Sequence, residues 1–492
     1  MNTETFAELL GQIEDMSWEL VGIPVIIAIG FYLTVRTGVV QIRHLPDMFR
    51  TITDRATRDE EGRTRSLSAF QAFTITASAR VGTGNIAGVA GAIALGGPGA
   101  VFWMWVMAIF NSAASFVEST LAQLYKTRRF DTFKGGPAYY IERGLGSRSG
   151  GIVFAVIFIF CFALSFTSLQ ANTIVDSATG AASELGIEDT AALKWGLAVV
   201  LVVLTGIIVI AGLRRVAKVA QSVVPAMAML YILLGLIVVI VHIDQLPTVI
   251  ALIFGEAFNF NAAAGGAFGA MIMAGIQRGM FSNEAGMGSV PNVAATADVS
   301  HPAKQGLVQT LGVYLDTLII CSVTAFIILV TYPDPTATAD ANPGAELTQM
   351  ALTSTFGAFG AVALAVIILM VAFTSILGNY SYGEANVLFI SDSETLRKVY
   401  AVGLTGVVFL GSVISVELAW AIAGVTMVII ALFNLVVITE MAGTAVRLLK
   451  HYQAQRREGL DPVFVASDMP DLRNVECWTE EDAAGHREPQ RQ

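Results

Sequence analysis

From Val219 to Val241 the chain runs without one charged residue, closed by Lys218 on one side and Asp244 on the other. As a helix this run is about 34 Å long, at about 1.5 Å per residue, and a bilayer's hydrocarbon core is about 30 Å thick. A soluble fold could bury one such segment, but this chain has many. Candidate spans fall near 19–36, 67–95, 98–124, 151–176, 193–212, 218–242, 262–291, 304–331, 357–387, 397–416 and 418–446. Only 14% of the 492 residues are charged and 54% are hydrophobic, where soluble domains carry about 25% charge. The sequence therefore predicts an all-α integral membrane protein with eleven transmembrane helices.

Loop charges orient the spans, because cytoplasmic loops are rich in Lys and Arg. The first long loop holds Arg36, Arg43, Arg50, Arg55, Arg58, Arg63 and Arg65, and loop 125–150 holds Lys126, Arg128, Arg129, Lys134, Arg143 and Arg148. Arg214, Arg215 and Lys218 follow, then Lys304, then Arg397 and Lys398, then Arg447 and Lys450. These groups occupy every second loop; the loops between contain Lys194 and otherwise acids. Eleven spans then put the N-terminus outside and the C-terminus in the cytoplasm of a prokaryotic cell membrane. The net charge of −10 owes much to an acidic tail after Glu458, which reads as solvated. The three cysteines and five histidines show neither a disulfide framework nor ligand spacing for a resident metal.

Two arginines, Arg80 and Arg278, fall inside spans, where a charge is costly and points to function. Their surroundings match. Arg80-Val-Gly-Thr-Gly-Asn85-Ile-Ala-Gly88 and Arg278-Gly-Met-Phe-Ser-Asn283-Glu-Ala-Gly286 both fit R-x-x-x-x-N-x-A-G. The first lies in span two and the second in span seven, which run in opposite directions. This predicts two inverted five-helix repeats, residues 66–242 and 243–450. Residues 1–65 form an extra N-terminal helix and basic loop, and residues 451–492 form the acidic tail. Interrupted helices at matching places in inverted halves are the best sequence pointer to a transporter's binding site. Gly82-Thr-Gly84-Asn-Ile-Ala87 also fits a dinucleotide-binding turn, but that turn needs a strand before it and an acid about 20 positions on. Here helix-like sequence continues on both sides and the next acid is Glu118.

At this point the residues resemble a known family. "SARVGTGNIAGVAGAIALGGPGAVFWMW", "IQRGMFSNEAGMGSVPNVAATA", "HPAKQGLVQTLGVYLDTLIICSVTAFIIL" and "AFTSILGNYSYGEANVLF" are similar to motifs of the alanine or glycine:cation symporters, over about residues 20–445. One departure is Trp420-Ala-Ile-Ala-Gly424, where that family commonly reads W-x-x-A-D. The resemblance implies a LeuT-type architecture and sodium-coupled uptake of small neutral amino acids such as alanine and glycine.

The candidate substrate site starts at Thr83, Gly84 and Asn85, where glycines permit an unwound turn and freed N–H groups face a carboxylate. Gln170 and Asn172 are amides inside an apolar run and should face protein or a cavity. Phe268, Met271, Gly275, Ile276 and Gln277 in span seven are assigned to the pocket's second wall. For Na⁺, the coupling ion, the adjacent hydroxyls of Thr374 and Ser375 suit a hard cation. By analogy with LeuT-type transporters they meet the carbonyls of Ser78, Val81 and Val371. Glu118, Glu284, Asp316 and Glu384 lie at membrane depth, and pairing with Arg80 or Arg278 would lower their cost. Ser and Thr bonded within their own helices are the plain alternative for the hydroxyls. A proton-coupled carrier of the same fold is the alternative function, followed by an ion channel; no nucleic-acid partner and no enzymatic constellation is legible. The oligomeric state is open, with a monomer compatible.

Overall fold

The computed structural model describes residues 3–57, 66–129, 132–259, 267–333 and 344–487. Arg58, Arg63, Arg65 and the start of segment 262–291 lie outside them. The described chain is helical apart from a short antiparallel pair, Thr127–Arg129 with Thr132–Lys134.

Among the described residues eight helices are long and apolar enough to cross a membrane: Thr5–Arg36, Gly99–Leu124, Arg148–Glu184, Ala191–Val209, Leu213–Val241, Pro302–Thr331, Ala358–Ile390 and Val416–Arg457. The other three expected spans differ from these. Segment 397–416 is a helix of 18 residues, Glu394–Gly411, with charges in its first turns. Segments 67–95 and 262–291 are interrupted.

The first interruption has local causes. Ser68 and Gln71 form a reciprocal capping box that starts helix Ala69–Arg80. The helix stops at Val81, whose ψ of 86° leaves the helical region. Winding resumes as a π-turn over Gly84–Gly88 and continues as α-helix to Gly96. Gly97, at φ 68°, and Pro98 then turn the chain into Gly99–Leu124. The second interruption follows helix Ala267–Asn283. Glu284, Gly286 and Gly288 have φ of 54°, 85° and 78°, and a short helix, Pro291–Ala294, comes after.

Depth in the bundle sorts the helices. Within their most apolar windows Ala191–Val209 is 22% buried and Gly99–Leu124 is 67% buried. The first therefore faces outward with Val199, Val203 and Ile207 exposed, as lipid contact requires. Helices approach closely at the first break: a Cβ on Gly378 would stand 2.5 Å from that of Ala79. Small residues let membrane helices meet in this way.

The basic loops gather at one end around a cavity of about 1140 Å³, lined in part by Lys126, Arg128, Lys134, Arg214 and Arg397. The tail folds against this end rather than standing solvated. Asp461 pairs with Lys304, Asp471 with Arg447, Glu476 with Arg143 and Asp482 with Arg128. Trp478 donates to the Gln123 carbonyl at 3.0 Å, and the Lys126 ammonium lies 4.4 Å from the Trp478 ring centre. Composition alone missed this because the tail's acids have specific cationic partners and its few aromatics have a buried seat. Asp298, outside the spanning helices, accepts from the Thr57 N–H at 2.7 Å and contacts His486 at 3.1 Å. Burial alone would raise its pKa, but the His486 contact, Lys126 and Thr57 hold the carboxyl well below its ordinary range.

Candidate functional site

Of the five residues expected to hold Na⁺, four, Ser78, Val81, Val371 and Ser375, meet at the end of the first half-helix. Ser375 Oγ lies 3.0 Å from the Ser78 carbonyl oxygen, 3.4 Å from that of Val81 and 3.0 Å from that of Val371. Thr374 Oγ1 lies 2.9 Å from the same Val371 oxygen. The Ser375 hydroxyl and the carbonyls of Ser78, Val81 and Val371 thus converge from two helices, neutral oxygens of the kind a small hard cation takes, while Thr374 Oγ1 bonds back to its own helix at the Met370 and Val371 carbonyls and faces Met227. Val81 leaves helical geometry, so its carbonyl turns toward Ser375. Gly82 completes the cradle, because a Cβ there would stand 2.7 Å from Ser375 Oγ and 3.0 Å from Gln170 Nε2.

Beside this cluster the break is held open by side chains. Asn85 Oδ1 accepts from the Gly82 N–H at 2.8 Å, and Gln170 Oε1 accepts from the Thr83 N–H at 3.2 Å. Thr83 Oγ1 is buried without a hydrogen-bond partner among the described residues. Asn85 also donates to Asp316 Oδ1 at 2.6 Å and to Ser282 Oγ at 2.9 Å. Gly84 lies against the second wall: a Cβ on it would be 2.7 Å from the Phe281 ring. Phe281 stacks on Phe166 at 4.7 Å and packs against Trp420 at 5.1 Å between ring centres.

Thr83, Gly84, Asn85 and Gln170 are therefore brought together, and the other expected substrate residues are not. Asn172 points away and donates to the carbonyls of Gly411 and Ile414. Two residues along a helix is a rotation of about 200°, so Gln170 and Asn172 face opposite sides. In span seven the helix stays regular through Asn283, and the residues that reach the break are Phe281 and Ser282. Phe268 packs edge-on to Trp103, and Met271 lies against Gly96 and Gly99 at the corner between helices. Gly275 abuts the Ala100 carbonyl, Gln277 donates to Glu14 at 2.5 Å, and Ile276 is buried about 7.5 Å along the axis from Phe281. The repeat R-x-x-x-x-N held the correcting signal, since Phe281 and Ser282 stand directly before its Asn283.

The acids also found other partners than the arginines. Glu118 accepts from the N–H groups of Gly286 and Gly288 and from Asn434, filling the anion nest made by the second break. Glu284 accepts from Ser289 at 2.7 Å, and Glu384 accepts from Tyr380 at 2.8 Å and neighbours Arg397. Asp316 accepts from Asn85, Ser282 and Thr317. Arg80 donates to the Gln309 carbonyl at 3.0 Å and to Ser115 at 3.1 Å.

The fold is shared with the crystal structure of MhsT in complex with L-phenylalanine, at a TM-score of 0.56 and 14% identity over 80% of this chain and 99% of MhsT. A family match makes this all-helical bundle, with two interrupted helices and neutral oxygens gathered between the first of them and helix Ala358–Ile390, a membrane transporter. Residues 3–466 match the Sodium:alanine symporter family, and the chain belongs to it. It is 46% identical to the amino-acid carrier protein AlsT of Bacillus subtilis over 476 residues, covering 97% of this chain and 98% of AlsT. It is 44% identical to the probable sodium/glutamine symporter GlnT of the same organism over 473 residues, covering 96% of this chain and 95% of GlnT.

Proposed function

We propose that this symporter carries a small neutral amino acid, alanine or glycine, into the cell together with Na⁺ by alternating access. The observation that carries the reading is the Ser375–Ser78 contact at 3.0 Å, which sets a cradle of neutral oxygens directly beside the unwound Gly82–Asn85 backbone. Na⁺ is held by the Ser78, Val81 and Val371 carbonyls with the Ser375 hydroxyl. The amino acid's carboxylate displaces Gln170 Oε1 from the Thr83 N–H and takes the Thr83 hydroxyl beside it, unpartnered among the described residues. Its side chain lies toward Phe281, Phe166 and Trp420, whose closeness to Gly84 favours a small group. Each ligand orders the same turn, so binding of one lowers the cost of ordering for the other.

In this reading eleven segments cross the cell membrane, with the N-terminus outside and the C-terminus inside. Residues 66–242 and 243–450 are the inverted five-helix repeats of a LeuT-type transporter. A proton-coupled carrier is the second reading, favoured by Glu118, Glu284 and Asp316, which are buried among neutral donors. Uptake of labelled alanine, glycine and glutamine by reconstituted protein decides both questions. Alanine uptake should persist at zero proton gradient and disappear when K⁺ replaces Na⁺. Uptake indifferent to that replacement would sink the sodium reading, and a preference for glutamine would sink the small-substrate one.

A further inference from the structure

The N-terminal helix reaches the centre of the protein. Helix Thr3–Ser17 passes through a π-turn, Trp18–Gly22, into Ile23–Arg36 and packs along the last helix, Val416–Arg457. Trp18 donates its indole N–H to the Gly424 carbonyl at 3.2 Å. Glu14 is 8% exposed and fills the space beside Gly424. A Cβ on residue 424 would stand 1.9 Å from Glu14 Oε1 and 2.1 Å from its Cδ. A carboxylate from the first helix therefore occupies the room that a side chain at 424 would take. Position 424 is also where this chain departs from the W-x-x-A-D pattern by lacking the aspartate.

The neighbours of Glu14 lead to the site. Gln277 donates to it at 2.5 Å. The next residue, Arg278, is buried and lies 4.3 Å over the Trp420 ring. Its Nε has no hydrogen-bond partner among the described residues, and Glu14 and Asp15 are the two acids whose charge acts on it. Trp420 packs on Phe281, which packs on Gly84. Glu14 thus holds Gln277, the residue before Arg278, and Arg278, Trp420 and Phe281 stack from there to the first break. The Glu14 end lies opposite the basic loops, since Arg36 closes the same helical run about 33 Å further along.

We propose that Glu14 is the carboxylate of the outer gate, supplied by the N-terminal helix in place of a side chain at position 424. It acts through Gln277, Arg278 and Trp420 and does not touch the substrate, so it is a positioning residue. Arg278 has no hydrogen-bond partner on its Nε among the described residues, so the carboxylate beside its neighbour Gln277 offsets its burial when the gate is shut, and moving that carboxylate away lets water reach the break. The proposal rests on the transport reading above.

The test compares the parent protein with E14Q, E14A, G424D and E14A/G424D, each reconstituted for alanine uptake and melted in detergent. G424D should lower both melting temperature and uptake, because its Cβ overlaps Glu14. E14A/G424D should recover both, with uptake within about threefold of the parent, since a carboxylate returns to the same space. E14Q keeps the volume and can still accept from Gln277. Its kcat per folded protein should fall about tenfold without a rise in KM, since gate closure and not binding is impaired. A double variant no better than G424D, or an E14Q with the parent's kcat, would overturn the proposal. A parent that took up no alanine would count against the transport reading, while the melting temperatures would still decide whether Glu14 and residue 424 share one space.

Discussion

Asn85 donates its side-chain amide to Asp316 at 2.6 Å, and the same carboxylate accepts from Ser282 at 2.6 Å. One acid therefore fastens the residue after the first break to the residue before the second. Hydrogen bonds to a charged group contribute about 1.5–3 kcal/mol each. D316N should lower alanine uptake by about one to two orders of magnitude while the protein still folds. Uptake per folded transporter after reconstitution measures this, and parental uptake would remove Asp316 from the mechanism.

The sodium cradle makes a prediction that separates the two ligands. S375A removes one hydroxyl and leaves the carbonyls, a loss of about 1.4 kcal/mol or tenfold in affinity. The Na⁺ concentration for half-maximal uptake should rise about tenfold, while the KM for alanine at saturating Na⁺ changes little. Paired titrations of the two ligands would show it.

Glycine at 84 is required by the approach of Phe281. G84A should fold, because overpacking costs about 1–3 kcal/mol, but it should displace Phe281 and abolish uptake. Combining it with F281A opens the space again and should restore folding-state stability without restoring substrate preference. Melting curves and a substrate panel read the two effects apart.

The docked tail depends on Asp298. Its carboxyl titrates below its ordinary value of 3.8 in the folded protein. A depressed carboxylate contributes stability that is complete above the unfolded value and is lost as pH falls through the folded one. Compared at any one pH between 6 and 8, all above the range in which Asp298 itself titrates, trypsin cleavage at Arg473 should therefore be faster in D298N than in the parent. Equal cleavage rates in the two proteins would contradict the role given to Asp298.

Much of this arrangement was legible because it depends on local chemistry. Gly82 and Gly84 announce the first break, and an adjacent Thr374 and Ser375 in an apolar run announce hydroxyls that need a purpose. What was not legible depends on rotation about a helix axis or on distant partners. Nothing near Asn172 tells which side of its helix faces the break, and the pocket residues of span seven were placed about two to four turns from the break, toward the helix start. Gln277 finds its partner 263 positions away and Asp316 finds Asn85 at 231. Charge pairing between acids and arginines was the economical guess, but Glu118 is satisfied by the backbone N–H groups of Gly286 and Gly288, 168 and 170 positions away.

The contact between Arg80 and the Gln309 carbonyl joins residues 229 positions apart. At about 5–20 residues per second, a ribosome needs roughly 10–50 s to make the intervening chain. For most of that time the guanidinium has one of its two acceptors, Ser115, 35 positions on, and waits for the carbonyl in a segment already due to leave water. Insertion of the first half must therefore tolerate an unfinished charge, through a water-filled passage or a holding partner. The order of synthesis thus sets a demand on the cell's insertion machinery that the finished structure no longer displays.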